Sequence, residues 1–260
     1  MKDGNESLRV YFESELERRP KGEGLVAAFV GAGGKTSAMY GLAALFAASG
    51  LRVLLTTTTH IKDPRGEKSR AWDALVLLSE GQTMPRPGLS MTILADHVDE
   101  ASGKLAGIGP EKIAAFRGLF DLVLVEADGS RGLPVKAPAS HEPVLPVCAD
   151  LVIGVIGLDC LGRPADPRTV HRLGKFLEVS GAVAGEPIDA GHLAALVSSP
   201  AGLFKSCPAA ARRIVLLNKA DLVSPVETIA VAARIRKGRR CDAVFPGHWG
   251  APDLFRGPEA

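Results

Sequence analysis

Residues 31–37 read Gly31-Ala32-Gly33-Gly34-Lys35-Thr36-Ser37, between a continuous apolar run at 25–30 and a helix-like stretch at 35–49. No other feature constrains the fold as strongly. A short, unbroken apolar run marks a strand buried on both faces, and such strands belong to parallel sheets covered by helices. Glycines between strand and helix let backbone N–H groups curl around an anion, and the helix start adds its positive dipole end. In such a loop Lys35 would supply charge to the β- and γ-phosphates of GTP or ATP, and the Thr36 hydroxyl a Mg²⁺ ligand. The longer spacing GxxxxGK[ST] is not met, because the position of its first glycine is Phe29.

The same alternation continues along the chain. Strands are expected at 52–57, 74–78, 91–95, 121–125, 151–156 and 214–217, and helical stretches at 6–19 and 111–119. In the first helix Leu8, Tyr11, Phe12 and Leu16 recur at helical spacing, and Pro20 follows. The expected fold is three-layer α/β of the P-loop NTPase-like type: a mainly parallel sheet with helices on both faces. A length of 260 residues suits one large domain. Residues 160–207 hold helix-like segments without clear strands and read as a helical insertion or cover. From about Pro246 the chain is rich in Gly and Pro and reads as irregular.

Composition excludes several classes. Lys and Arg number 31 against 29 Asp and Glu, and aromatics are 5%, so neither a basic field nor a stacking platform for nucleic acid is expected. The apolar runs are too short to span a bilayer, and the polar start has no signal-peptide core. Cys148, Cys160, Cys207 and Cys241 have no zinc-ligand spacing, and reduced thiols in a cytoplasmic protein are expected.

A phosphate loop calls for a second element, an apolar strand ending in a carboxylate that orders Mg²⁺ and water. Residues 122–128 supply it: Glu126 is the candidate metal ligand, and Asp128 a candidate for orienting water or substrate. Arg131 follows closely and is a candidate for neutralising transition-state charge in cis. A third signal is Asn218-Lys219-Ala220-Asp221, the NKxD pattern of GTPases. An Asp carboxylate there can accept two hydrogen bonds from guanine that adenine cannot offer. Asn218 would meet the base edge, and the stem of Lys219 would cover the ring.

Other residues have a bland reading beside the functional one. Thr58, Thr59 and His60 follow a strand and could approach the γ-phosphate, although β-propensity explains the threonines equally. Lys136, His141 and Glu142 could bind a phosphorylated substrate or a partner cofactor, or lie at the surface. His171 and Arg172 could contact an anion. Arg234, Arg236, Lys237, Arg239 and Arg240 suit a solvated helix end.

The shorter GxxGKT loop resembles that of Mur-type ligases and folylpolyglutamate synthetases. A Mur-like ligase would also need a substrate domain that is not evident. More extensively, 30–36, Thr56-Thr57-Thr58-Thr59-His60-Ile61 and the run 126–146 resemble the YqeC family of selenium-dependent hydroxylase accessory proteins. Val170-His171-Arg172 and the Asn218-Lys219-Ala220-Asp221 turn are similar too. The resemblance covers about 20–225 and is most distinctive at 126–146. It implies a P-loop fold and, by name, a role in maturation of molybdenum hydroxylases. A nucleoside triphosphate is thus the expected ligand, with a molybdenum hydroxylase or molybdopterin cofactor as partner. The alternative is a carrier of molybdopterin or a pterin dinucleotide that grips a pyrophosphate without cleaving it.

Overall fold

The computed structural model describes residues 2–66, 72–81 and 90–249. In chain order its elements are α1 Lys2–Glu17, β1 Leu25–Gly31, α2 Lys35–Ala48, β2 Val53–Thr57, β3 His60–Lys62, β4 Ala74–Leu77, β5 Met91–Ala95, β6 Val98–Asp99, β7 Lys104–Ala106 and β8 Leu122–Glu126. There follow β9 Val135–Lys136, β10 Leu151–Gly157, β11 Val170–His171, α3 Leu173–Ser180, α4 Ala190–Ser198, β12 Arg212–Asn218, α5 Pro225–Lys237 and β13 Ala243–Pro246.

Among the described residues eight strands form one sheet in the order β13-β12-β10-β1-β8-β2-β5-β4. Every pairing within it is parallel. The period of two along each strand divides the core. Leu25, Ala27 and Phe29 of β1 face one side with Leu122 and Leu124, where Phe12 of α1 and Met39, Leu42 and Phe46 of α2 cover them. Val26, Ala28 and Val30 face the other side with Val123 and Val125, in the cluster that includes Phe176 of α3, Leu193 of α4 and Val231 of α5. The chain is therefore three-layer α/β. Helices from 160–207 lie in the same layer as α5.

β1 stands at the centre, with strands added on both sides of it, so the crevice beyond its C-terminal end is a topological switch point. The elements that meet there are the β1–α2 loop, the end of β8, the end of β10 and the turn after β12.

Several boundaries differ from expectation for local reasons. The stretch 111–119 is a 3₁₀ helix over Pro110–Phe116, with i→i+3 bonds such as Lys112 N to Gly109 O. Arg52 lies outside β2 because its backbone N–H and guanidinium both bind Asp121, which itself precedes β8. Leu78 leaves β4 for a 3₁₀ turn. Three features were not anticipated: the edge strand β13, a small antiparallel sheet of β3, β7 and β6, and the parallel pair of β9 and β11, whose second strand lies within 160–207. The irregular stretch expected from about Pro246 lies outside the described residues beyond 249. No helix among the described residues is long and apolar enough to cross a membrane.

Phe176 is fully buried between α3 and the sheet. Phe176→Ala should destabilise the fold by about 3–5 kcal/mol. Urea unfolding followed by far-UV and near-UV signals should stay a single coincident transition. An earlier, separate transition of the helical segment would show that 160–207 folds apart from the sheet.

Candidate functional site

β1 ends in Gly31, and the chain turns through Gly33 and Gly34 into α2. Gly33 has φ +89° and Gly34 φ +111°, both in the region that favours glycine. A Cβ on Gly33 would lie 2.1 Å from the Gly157 backbone nitrogen, and one on Gly34 2.5 Å from Asn218 Nδ2. Only glycine fits this close approach of β1, β10 and β12. Ala32 N–H donates to Val155 O and Gly33 N–H to Leu133 O. The N-terminus of α2 has Gly34 as its cap with no side-chain acceptor, and its first turn carries no acidic residue. Its amides, from Lys35 through Thr36 and Ser37, and its positive dipole end suit an anion.

Lys35 is 2% exposed. Its ammonium donates to Gly31 O at 2.7 Å and lies 3.2 Å from Asp128 Oδ1 and 3.9 Å from Glu126 Oε1. Thr36 Oγ1 donates to Glu126 Oε2 at 2.6 Å. The lysine, the hydroxyl and both carboxylates that the sequence singled out thus converge. Burial pushes the Glu126 carboxyl above its ordinary range, while the Lys35 ammonium and the Thr36 hydroxyl pull it back. Among the described residues no group of three or more His, Cys, Asp or Glu could hold a metal. The paired hydroxyl and carboxylate oxygens of Thr36 and Glu126 are the kind of donors that could hold Mg²⁺, which binds through one or two protein oxygens together with phosphates and water.

Asp128 is enclosed. Its Oδ2 accepts from Gly31 N–H at 3.0 Å and lies 3.0 Å from Lys136 Nζ. Lys136, also buried, donates to Gly129 O and to Glu142 Oε2, each at 2.8 Å. Glu142 in turn receives two bonds from the Arg172 guanidinium, at 3.0 and 2.9 Å. Lys35, Asp128, Lys136, Glu142 and Arg172 therefore form one line of alternating charge. Lys136 and Glu142, open in the sequence to a ligand role or a surface one, are internal members of it; His141 is exposed. Arg131 is exposed at the tip of a turn, with φ +53° and no hydrogen bond or ion pair among the described residues.

The threonines at the end of β2 and just after it buttress the end of β8. Thr57 Oγ1 donates to Glu126 O, Thr58 N–H also donates there, and Thr58 Oγ1 donates to Val144 O. His60 lies 3.8 Å from Asp99 at the surface.

Asn218 is 1% exposed, and its role differs from the base contact expected of it. Its Nδ2 donates to Gly33 O at 2.8 Å and Trp249 O at 3.1 Å, and its Oδ1 accepts from Lys219 and Trp249 N–H. The amide staples the turn to the glycine loop between β1 and α2. Lys219 Nζ donates to Asp159 Oδ2 at 2.8 Å, and Asp221 Oδ1 lies 2.6 Å from His248 Nδ1. Asp159, His248 and Trp249 were not singled out in the sequence. Only contacts between distant segments reveal them. Cys160 is buried, and burial pushes its thiol up to about 12, so it is inert.

The family described as YqeC protein matches residues 27–174 of this chain. The chain belongs to the YqeC family. It is also 40% identical over 198 residues, 75% of each chain, to the uncharacterized protein YqeC of Escherichia coli (strain K12). The matched region of this YqeC-family chain runs from β1 through the glycine loop, Glu126, Asp128, Lys136 and Glu142 to α3.

Burial alone would push Glu142 up, but the bonds from Arg172 and Lys136 outweigh it and hold the carboxyl at about 2. A lowered folded pKa adds stability that is present above the ordinary value of about 4.5 and is lost as pH falls toward 2. Glu142→Gln should therefore cost about 3–5 kcal/mol near pH 7. The gap from wild type should narrow below about pH 4.5 in denaturant titrations. A gap independent of pH would mean that the charge of Glu142 is not what stabilises this region.

Proposed function

We propose that this protein is a Mg²⁺-dependent nucleoside-triphosphate-binding protein that selects GTP and hydrolyses it. The observation that carries this reading is the convergence of Lys35, Thr36 and Glu126 at an uncapped helix start, joined by the Asn218 amide to the turn bearing Asp221. Phosphates would lie on the amides of α2, with Lys35 as their counter-charge and Gly31, Ala32, Gly33 and Gly34 shaping the loop. Mg²⁺, held by Thr36 with Glu126 beside it, would supply charge neutralisation at the phosphates. Asp128 acts by holding Gly31 and Lys35 in position. Asp221 reads guanine when the base displaces His248 from its carboxylate, and the stem of Lys219 covers the ring. The resemblance to accessory proteins supports a place for this work in cytoplasmic maturation of molybdenum hydroxylases, with the hydroxylase or its pterin cofactor as the proposed partner.

By calorimetry with Mg²⁺, GTP should bind more than about tenfold tighter than ATP, because adenine leaves the Asp221 carboxylate without its donors. Asp221→Asn should erase that preference, and equal affinity in the wild type would refute guanine selection.

Lys35→Ala should abolish nucleotide binding. Since it also leaves Glu126 and Asp128 without their shared cation, Thr36→Val serves as a second variant that should remove the Mg²⁺ dependence of affinity. Unchanged binding in both would refute the site. Phosphate release from GTP, with and without the hydroxylase partner, reads hydrolysis. No turnover in any condition, together with tight pterin-dinucleotide binding, would favour a non-hydrolysing carrier.

A further inference from the structure

The charge line from the phosphate loop ends at a basic surface that the nucleotide site does not use. The segment from 129 to 136 runs over the loop: Leu133 O accepts from Gly33 N–H, and Pro134 O accepts from Gly157 N–H. Its turn at 130–133, closed by Leu133 N–H to Ser130 O, carries Arg131 at the tip. Its strand β9 pairs with β11, which sets His171 beside Lys136. Arg172 follows directly and is fixed in two ways: its backbone is left-handed at φ +63°, and Glu142 holds Nε and Nη2. Three cationic or titratable side chains thus gather on one edge from two separate segments of the chain.

Their partners do not balance them. Arg172 pairs with Glu142, which it shares with Lys136, and Lys136 also pairs with Asp128. The Lys136 ammonium has Gly129 O, Glu142 and Asp128 around its three donors, so it contributes field but no free donor. Arg131 and the His171 ring have no hydrogen bond or ion pair among the described residues, and Arg172 keeps Nη1 outside its bonds to Glu142. Burial first, then Lys136, Arg172 and Arg131, push the His171 imidazole below its ordinary value, and Glu142 opposes them. That imbalance is the electrostatic signature of a place where an anion would be stabilised. Left-handed backbone at both arginines, which non-glycine residues adopt at a cost, fixes the geometry of the pair.

We propose that Arg131, His171 and Arg172 form a second anion site, distinct from the nucleotide phosphate loop, that takes the phosphate or oxyanion group of a small-molecule co-substrate. Its adjacency to the loop through Leu133 and Pro134 would bring that group toward the terminal phosphate of the nucleotide. Only this last link rests on the reading of the nucleotide site; binding of the anion itself is read without nucleotide, and GTP enters only as a competitor.

The probe is inorganic phosphate, with the His171 ring resonance followed by NMR between about pH 5.5 and 8 and assigned by its loss in His171→Gln. Phosphate should bind saturably and raise the pH at which His171 titrates, because a bound anion favours the imidazolium. Arg131→Ala, an exposed change, should weaken phosphate by about tenfold or more. Saturating the wild type with GTP and Mg²⁺ should leave the response within about twofold. A response that survives Arg131→Ala but disappears when the loop is filled would place the anion on α2 and overturn the second site. So would the absence of any saturable response at His171. If GTP fails to bind the wild type while phosphate still reads through His171 and Arg131, the nucleotide reading falls and the anion site stands.

Discussion

The ion-pair line Lys35–Asp128–Lys136–Glu142–Arg172 is the constraint on which the rest of the site depends. Removing an ammonium or a carboxylate from water costs several kcal/mol, and the attraction of a partner repays this only when geometry is good and the remaining donors are satisfied. Here Lys136 has carbonyl and carboxylate partners on every donor, and Asp128 also accepts from the backbone of Gly31. The line therefore fixes where the glycine loop begins, where Lys35 sits, and how the segment from 129 to 142 lies over both. Taking away one member would leave an uncompensated buried charge. The Glu142 carboxyl, held at about 2, shows how strongly its cations dominate its own burial.

A second device joins what the sheet order alone brings only near. β12 is separated from β1 by β10, so the turn after β12 reaches the glycine loop through the Asn218 amide. The same amide takes both the N–H and the C=O of Trp249, tying in the chain beyond β13. Loop, turn and C-terminal segment thus close around one crevice at the switch point of a parallel sheet, where ligands of such folds bind. Asp159 extends the arrangement from the end of β10 by holding Lys219, so every strand adjoining the crevice contributes a side chain or a backbone group.

Much of this was legible in the sequence because it is local. The unbroken apolar runs gave the buried parallel strands, and Gly33, Gly34, Lys35 and Thr36 in a strand-to-helix context gave the loop. Glu126 and Asp128 could be placed from their position at the end of an apolar strand. What was not legible depends on distant pairs. Asn218 lies 185 residues from Gly33, so its stapling role could not be seen, and a polar residue in a GTPase-like turn was read as a base contact instead. Lys136 and Glu142 sit among prolines, which reads as an exposed rigid segment; their burial comes from Asp128 and Arg172, contributed by other segments. β13 is not legible because four residues carry little periodicity, and the tighter 3₁₀ turn at Pro110–Phe116 draws on the same residue types as an α-helix over so short a stretch.

The most direct measurement is a crystal structure of the protein with a non-hydrolysable GTP analogue and Mg²⁺. The account predicts phosphates against the first-turn amides of α2, with the Lys35 ammonium turned from Gly31 O toward them. It also predicts the metal at Thr36 Oγ1 on the Glu126 side, and the base against Asp221 in place of His248. Phosphates bound away from the N-terminus of α2, or a metal held without Thr36 and Glu126, would contradict it.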